Sequence, residues 1–156
     1  MIQLTLTRHA KSDWGDPGVE DHERPLNARG LRDAPVMAHR FAESGGQVQR
    51  LISSSAVRAR STAAVFGAEL GVEVELDDAL YLAPASRLLA TAAETGADSV
   101  MIVAHDPGIT ELAALLSRGG ISHMPTCAVA RFTWQLDSWN DAVSHVADSW
   151  RLDTPR

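Results

Sequence analysis

The chain has 156 residues, 45% of them hydrophobic and 22% charged, with a formal net charge of -6. That length suits one domain able to remove roughly 68 to 70% of its unfolded surface from water, and the composition excludes disorder, collagen-like repeats and a disulfide-built miniprotein, Cys127 being the one cysteine. The acidic balance argues against a broad nucleic-acid or anionic-membrane surface but leaves room for a small anion pocket, and with Lys11 the one lysine, arginine supplies nearly all the positive charge.

Ile2 to Thr7 alternates and is rich in β-formers, which predicts a first strand ending at Arg8 and His9. Lys11 to Pro25, with Gly15-Asp16-Pro17-Gly18, reads as a charged loop. Asn27 is placed to cap a helix through about Glu43, with Leu31, Ala34, Met37, Ala38 and Phe41 on its apolar face and Gly45-Gly46 closing it; Pro35 interrupts the pattern. Val48 to Ser53 predicts a second strand. Ser54-Ser55 then caps a helix carrying Val57, Ala63, Ala64, Phe66 and Leu70 that stops at Gly71. Val72 to Leu76 reads as a short strand and Pro84 to Ala93 as a helix with Leu88, Leu89 and Ala92 inward.

Val100 to Ala104 is the most apolar strand candidate and is expected at the centre of the sheet, running into His105-Asp106-Pro107-Gly108. Asp106 as N-cap and Pro107 at the first helical position start a helix through Leu116, closed by Gly119-Gly120. Cys127 to Leu136 and Val143 to Leu152 return to strand patterns, with Trp134 and Trp150 as core or sheet-face aromatics. The alternation predicts a single α/β domain over residues 1–156, a three-layer α/β/α arrangement with a mostly parallel central sheet, helices on both faces and an antiparallel C-terminal addition.

In this arrangement Arg8-His9, Ser53-Ser54-Ser55 with Arg58, and His105-Asp106 fall at the C-terminal ends of strands, where open α/β sheets place ligands. Two arginines would clamp a dianion, and helix N-termini would add backbone dipoles, so the site suits phosphate. Each residue also has a plainer reading. His105 alone could cap or pack, and Arg58 could pair with the acidic loop. A metal set of His9 and His105, or of Asp13, Asp16 and His22, lacks the usual spacings, and neither a GxSxG elbow nor a Walker A run is present. With no h-region and no run of about 20 apolar residues at the start, a cytoplasmic location is expected.

Four stretches stand in a telling order: Thr7-Arg8-His9-Ala10-Lys11, then Asp21-His22-Glu23-Arg24-Pro25-Leu26-Asn27-Ala28-Arg29-Gly30, then Ser53 to Ala63 around Arg58, then Val103-Ala104-His105-Asp106-Pro107-Gly108. Together they resemble the histidine phosphatase (phosphoglycerate mutase-like) superfamily, and the short chain with its Arg-His-Ala-Lys opening resembles the SixA branch of phosphohistidine phosphatases. The resemblance implies that His9 attacks phosphorus and is phosphorylated, that Arg8, Arg58 and His105 surround the transferred group, and that water opens the intermediate without a metal or other cofactor. Lys11 and Arg60 lie beside these motifs as outer phosphate contacts, although Arg60, two residues past Arg58 on a helix, is expected to face elsewhere in a salt bridge.

Two departures matter. Larger relatives carry a glutamate after the third strand that protonates an alcohol leaving group, whereas this chain reads Ala79-Leu80-Tyr81-Leu82; Asp13, Asp77 or Asp78 are the candidate substitutes. The loss favours an N-phosphoryl substrate, because imidazole leaves more readily than an alkoxide. Asp106 stands where many relatives carry Asn; a helix cap is its simpler reading, and an outer contact or acid at the pocket is the other. The expectation is a monomeric phosphatase acting on phosphohistidine in proteins. The alternatives are a phosphatase of small phosphomonoesters and a non-catalytic phosphate-binding or phosphoprotein-binding module.

Overall fold

The structure, a computed structural model, describes residues 1–156. Six strands form one sheet in the order β3-β2-β4-β1-β5-β6: β1 Ile2–Arg8, β2 Arg50–Ser54, β3 Val74–Asp77, β4 Ser99–Ala104, β5 Val129–Trp134 and β6 Ser149–Asp153. The strands β3, β2, β4 and β1 run parallel, and β5 and β6 pair antiparallel with their neighbours. This is the expected three-layer α/β/α architecture with its antiparallel C-terminal addition.

Alternation along the central strands assigns the two cores. Ile2, Leu4 and Leu6 of β1 with Val100, Ile102 and Ala104 of β4 join the cluster under α3 Ala85–Glu94 and α4 Gly108–Leu116. Met101 and Val103 of β4 face the other way, onto α1 Ala28–Glu43 and α2 Val57–Leu70. Val100 to Ala104 is buried throughout, as a central strand covered on both faces must be.

Asn27 accepts from the Gly30 amide (2.9 Å) as the cap of α1. Pro35 lies inside α1 on its solvent face, while Ala34, Met37, Ala38 and Phe41 are buried. Leu31 and Ala64 do not join the apolar faces expected of them; both are exposed, and α2 instead buries Ala59, Thr62, Ala63, Phe66 and Gly67. Its N-cap is Ala56, with no side-chain cap: the Ser54 hydroxyl, just ahead of it, meets His105 and the Ala56 amide (3.3 Å), and the Ser55 hydroxyl meets His22.

Two elements toward the C-terminus differ from the sequence expectation. Asp106 does not cap α4, whose N-cap is Pro107; the Asp106 carboxylate accepts from the Thr110 hydroxyl at 2.6 Å rather than from backbone N–H groups. The strand expected over Val143 to Leu152 is confined to Ser149–Asp153, and a short helix, α5 Trp139–Ala142, precedes it, capped by Ser138. Trp134 is buried in the core, whereas Trp150 on β6 is half exposed.

One close approach positions the site. A Cβ at Gly108 would lie 2.0 Å from the Ala83 carbonyl oxygen, so only glycine lets the start of α4 meet the segment carrying Tyr81 and Leu82.

Candidate active site

β1, β2 and β4 end side by side, with Arg8 registered against Ala104 and Ser53 against Val103. His9 follows β1 and His105 follows β4, so their rings meet at 5.2 Å between centroids, tilted by 55°. The His9 backbone is held on both sides: its amide donates to the Ala104 carbonyl (3.1 Å), and its carbonyl accepts from the Cys127 amide (3.0 Å).

His9 Nδ1 lies 2.7 Å from the Ala10 carbonyl oxygen. A carbonyl only accepts, so Nδ1 carries the proton and Nε2 keeps the lone pair. The Ala10 amide donates in turn to Thr62 Oγ1 (2.9 Å), whose hydroxyl donates to the Arg58 carbonyl (2.8 Å). A single side chain on α2 thereby connects the two motifs. Burial, and behind it the charges of Arg58, Arg8 and Arg24, lower the His9 pKa to about 4, outweighing the bond to Ala10. His105 is 2% exposed, with Nε2 on Ser54 Oγ at 2.7 Å and Nδ1 buried without a partner. Burial, then the nearby His9 and Arg58, lower its pKa to about 3. Both rings are neutral at neutral pH.

The arginines are fixed by separate anchors. Arg8 donates to the Met124 carbonyl (3.0 Å) and pairs with Asp106 at 3.3 Å. Arg58, 3% exposed, donates to the Asp21 carbonyl (2.7 Å) and carboxylate (3.0 Å). The same carboxylate accepts from Arg24 Nε (3.0 Å) and from the Tyr81 hydroxyl. That tyrosine bond, followed by Arg24 and Arg58, holds the Asp21 carboxyl well below the usual carboxylate range despite the opposing effect of burial. Tyr81 also sets its ring edge-on against His105, 5.5 Å between centroids.

These residues line an open pocket of about 310 Å³. Arg8, His9, Arg58 and His105 come together in it as expected, and Lys11 and Asp106 also line it. Asp13 does not; its carboxylate accepts from the Gly15 amide (2.7 Å). Asp77 caps a 3-10 turn through the Ala79 amide and Asp78 is exposed, so neither lines the pocket either. Arg60 is exposed, as expected, but forms no salt bridge, while Arg58 satisfies both readings by lining the pocket and pairing with the acidic loop.

Asp13, Asp16 and His22 do not assemble as ligands, because the two carboxylates turn to local amides and His22 bonds Glu23 and Ser55. Nowhere do three or more His, Cys, Asp or Glu side chains gather in a metal-binding group. Asp21, Tyr81 and Arg24 were not singled out individually by the sequence; Asp21 and Arg24 stand in one of the quoted motifs, but the long-range wiring to Arg58 and Tyr81 carries no local signal. A larger cavity, about 700 Å³, opens beside Leu116, Trp134 and Trp150, away from both catalytic-type histidines. No helix is long and apolar enough to cross a membrane.

Residues 4–81 match the sequence pattern of the histidine phosphatase superfamily (branch 1). An uncharacterized protein of Mycobacterium tuberculosis is 30% identical over 145 residues, covering 92% of this chain and 89% of that one. A structure assigned as the phosphohistidine phosphatase SixA from Agrobacterium tumefaciens superposes with a TM-score of 0.80 at 27% identity, covering 98% of this chain and 96% of that one. A mycobacterial glucosyl-3-phosphoglycerate phosphatase complexed with VO3 shares the fold, with a TM-score of 0.69 at 20% identity over 99% of this chain and 98% of that one.

Proposed function

The chain belongs to the histidine phosphatase superfamily (branch 1), and from that premise we propose that it is a metal-independent phosphatase working through phospho-His9, with phosphohistidine in proteins as its substrate. The observation that carries the reaction is the fixed tautomer of His9: Nδ1 is bonded to the Ala10 carbonyl, and the other ring nitrogen, which makes no hydrogen bond within the protein, is free to attack.

In the first step the Nε2 lone pair forms a bond to phosphorus as the bond from phosphorus to the leaving group breaks, and the leaving group departs with its electron pair. Arg8 and Arg58 stabilise the charge spread over the equatorial oxygens, each already oriented by a carboxylate, Asp106 and Asp21 respectively. In the second step water attacks the phosphorylated ring, inorganic phosphate leaves, its proton balance is met by solvent, and neutral His9 returns. His105, held by Ser54, lies against the same centre as a neutral ring.

The substrate reading rests on the two carboxylates lining the pocket. Asp21 is held ionised between Arg24, Arg58 and Tyr81, and Asp106 is engaged with Arg8 and Thr110. Both orient arginines, so a leaving group that arrives protonated, such as the imidazole of phosphohistidine, suits the site better than an alkoxide. The openness of the pocket suits a side chain presented by a protein in the cytoplasm, met by a monomeric enzyme.

The test compares kcat/KM, without added metal, for a phosphohistidine-bearing protein and a simple aryl phosphate, with His9→Ala as the blank. A large His9-dependent preference for the protein is expected. Comparable or reversed values would overturn the substrate assignment in favour of a small phosphomonoester, and binding of phosphate without His9-dependent turnover would leave a phosphate-binding module.

A further inference from the structure

Of the twelve residues that line the pocket only two are hydrophobic, Trp14 and Leu82, and both are conspicuously exposed, at 70% and 53%. Neither side chain carries a charge to match a phosphoryl group. Each leaves apolar surface in water at the pocket wall.

Trp14 stands on a braced loop. Ser12 bridges to Leu26, and the Asp13 amide donates to the Pro25 carbonyl at 2.8 Å. Arg24, 6% exposed, donates to Asp21 (3.0 Å), to the Ser12 hydroxyl (2.6 Å) and to the Asp13 carbonyl (3.2 Å). Its guanidinium carbon lies 3.4 Å from the centre of the Trp14 ring, a cation–π contact that fixes the indole by one face. With one face covered and 70% of the residue exposed, much of the indole surface remains open to solvent. Leu82 has φ of 52°, in the left-handed region that a leucine adopts only under strain, and it follows Tyr81, the residue that touches His105 and Asp21.

An exposed, rigid aromatic and a strained, exposed leucine on the wall of an otherwise polar phosphate pocket have one shared chemical use. We infer that Trp14 and Leu82 hold the leaving group of the substrate, and that they select a flat ring, the imidazole of phosphohistidine or an aryl group, over a ringless or polyhydroxylated one. The phosphohistidine part of this assignment rests on the function proposed above; the ring selection does not, since an aryl phosphate reports it equally. Stacking on the open indole, with apolar contact from Leu82, favours a ring through binding rather than through the chemical step.

The test measures kcat/KM for a phosphohistidine peptide, phenyl phosphate and acetyl phosphate, the last having a good leaving group and no ring, in the wild type and in Trp14→Ala, Trp14→Phe and Leu82→Gly. The ratio of phenyl phosphate to acetyl phosphate falls roughly tenfold in Trp14→Ala, through KM, and is largely kept in Trp14→Phe. Leu82→Gly, which relieves the left-handed backbone, lowers the same ratio. An unchanged ratio in Trp14→Ala, with both substrates losing equally, would reduce Trp14 to a cover for Arg24 and overturn the inference. A wild type that turns over acetyl phosphate but neither ring-bearing substrate would overturn it as well. Ring selection without a preference for the phosphohistidine peptide would overturn only the substrate assignment.

Discussion

Replacing Thr62 by valine keeps the shape of a fully buried side chain and deletes one oxygen. That oxygen accepts from the Ala10 amide at 2.9 Å and donates to the Arg58 carbonyl at 2.8 Å. The Arg58 carbonyl, inside α2, can keep its helical partner, so little is lost there. The Ala10 amide has no such recourse: Ala10 is 0% exposed, and its N–H would be left buried without an acceptor. A buried unsatisfied donor costs about 1–3 kcal/mol. Taking about 2 kcal/mol, and about 2–4 °C per kcal/mol for a chain of this size, Tm falls by about 4–8 °C. The Ala10 carbonyl, in the next peptide, is what fixes His9 Nδ1, so loosening the Ala10 backbone also misaligns the attacking nitrogen, and kcat falls about tenfold. Thermal unfolding and aryl phosphate turnover are measured together, with Thr62→Ser as the rescue that restores the oxygen. A valine variant within 0.5 °C of the wild type and equal in kcat would refute the claim that this hydroxyl organises the nucleophile.

Arg58→Lys retains a charge but cannot serve the Asp21 carbonyl, the Asp21 carboxylate and a phosphoryl group from a planar fork, and kcat drops about a hundredfold in steady-state assays. Stability should depend on acid in a defined direction. The ordinary histidine pKa is 6.5, and it is lowered to about 4 at His9 and about 3 at His105. Between these values the unfolded chain binds protons that the native chain refuses, so stability falls as pH drops below about 6.5. Denaturant midpoints at successive pH values check this, and His105→Asn removes part of the slope. Gly108→Ala forces a Cβ to within 2.0 Å of the Ala83 carbonyl oxygen and costs about 2 kcal/mol in chemical denaturation.

The strands were legible from residue type and pattern. Val100 to Ala104 is apolar at every position because it has helices on both faces, whereas β1 alternates apolar with β-branched hydroxyl residues although Thr5 and Thr7 are as buried as Leu4 and Leu6. The convergence of Arg8, His9 and His105 at neighbouring strand ends, with Arg58 in the first turn of the helix after β2, was legible once those strands were taken as parallel. The helix caps are less legible in the sequence. Ser54, Ser55 and Asp106 are good cap residues by type, but their oxygens meet His105, His22, Arg8 and Thr110, and only Ser54 also accepts from a backbone amide, that of Ala56. The Ser138 cap of α5 was present in the sequence and was masked by the strand pattern that follows. Asp21 gave no individual sign of its role, because its partners Arg58 and Tyr81 lie 37 and 60 residues away and only the folded sheet edge joins them.

The central claim is that His9 carries the phosphoryl group. Rapid mixing of enzyme with excess phosphoryl donor, a denaturing alkaline quench that preserves phosphohistidine, and mass spectrometry of the digest test it directly. The account predicts a burst of phosphorylated protein approaching one group per chain, located on His9 and absent from His9→Ala. Steady turnover with no phosphorylated protein, or with the group on another residue, would contradict it.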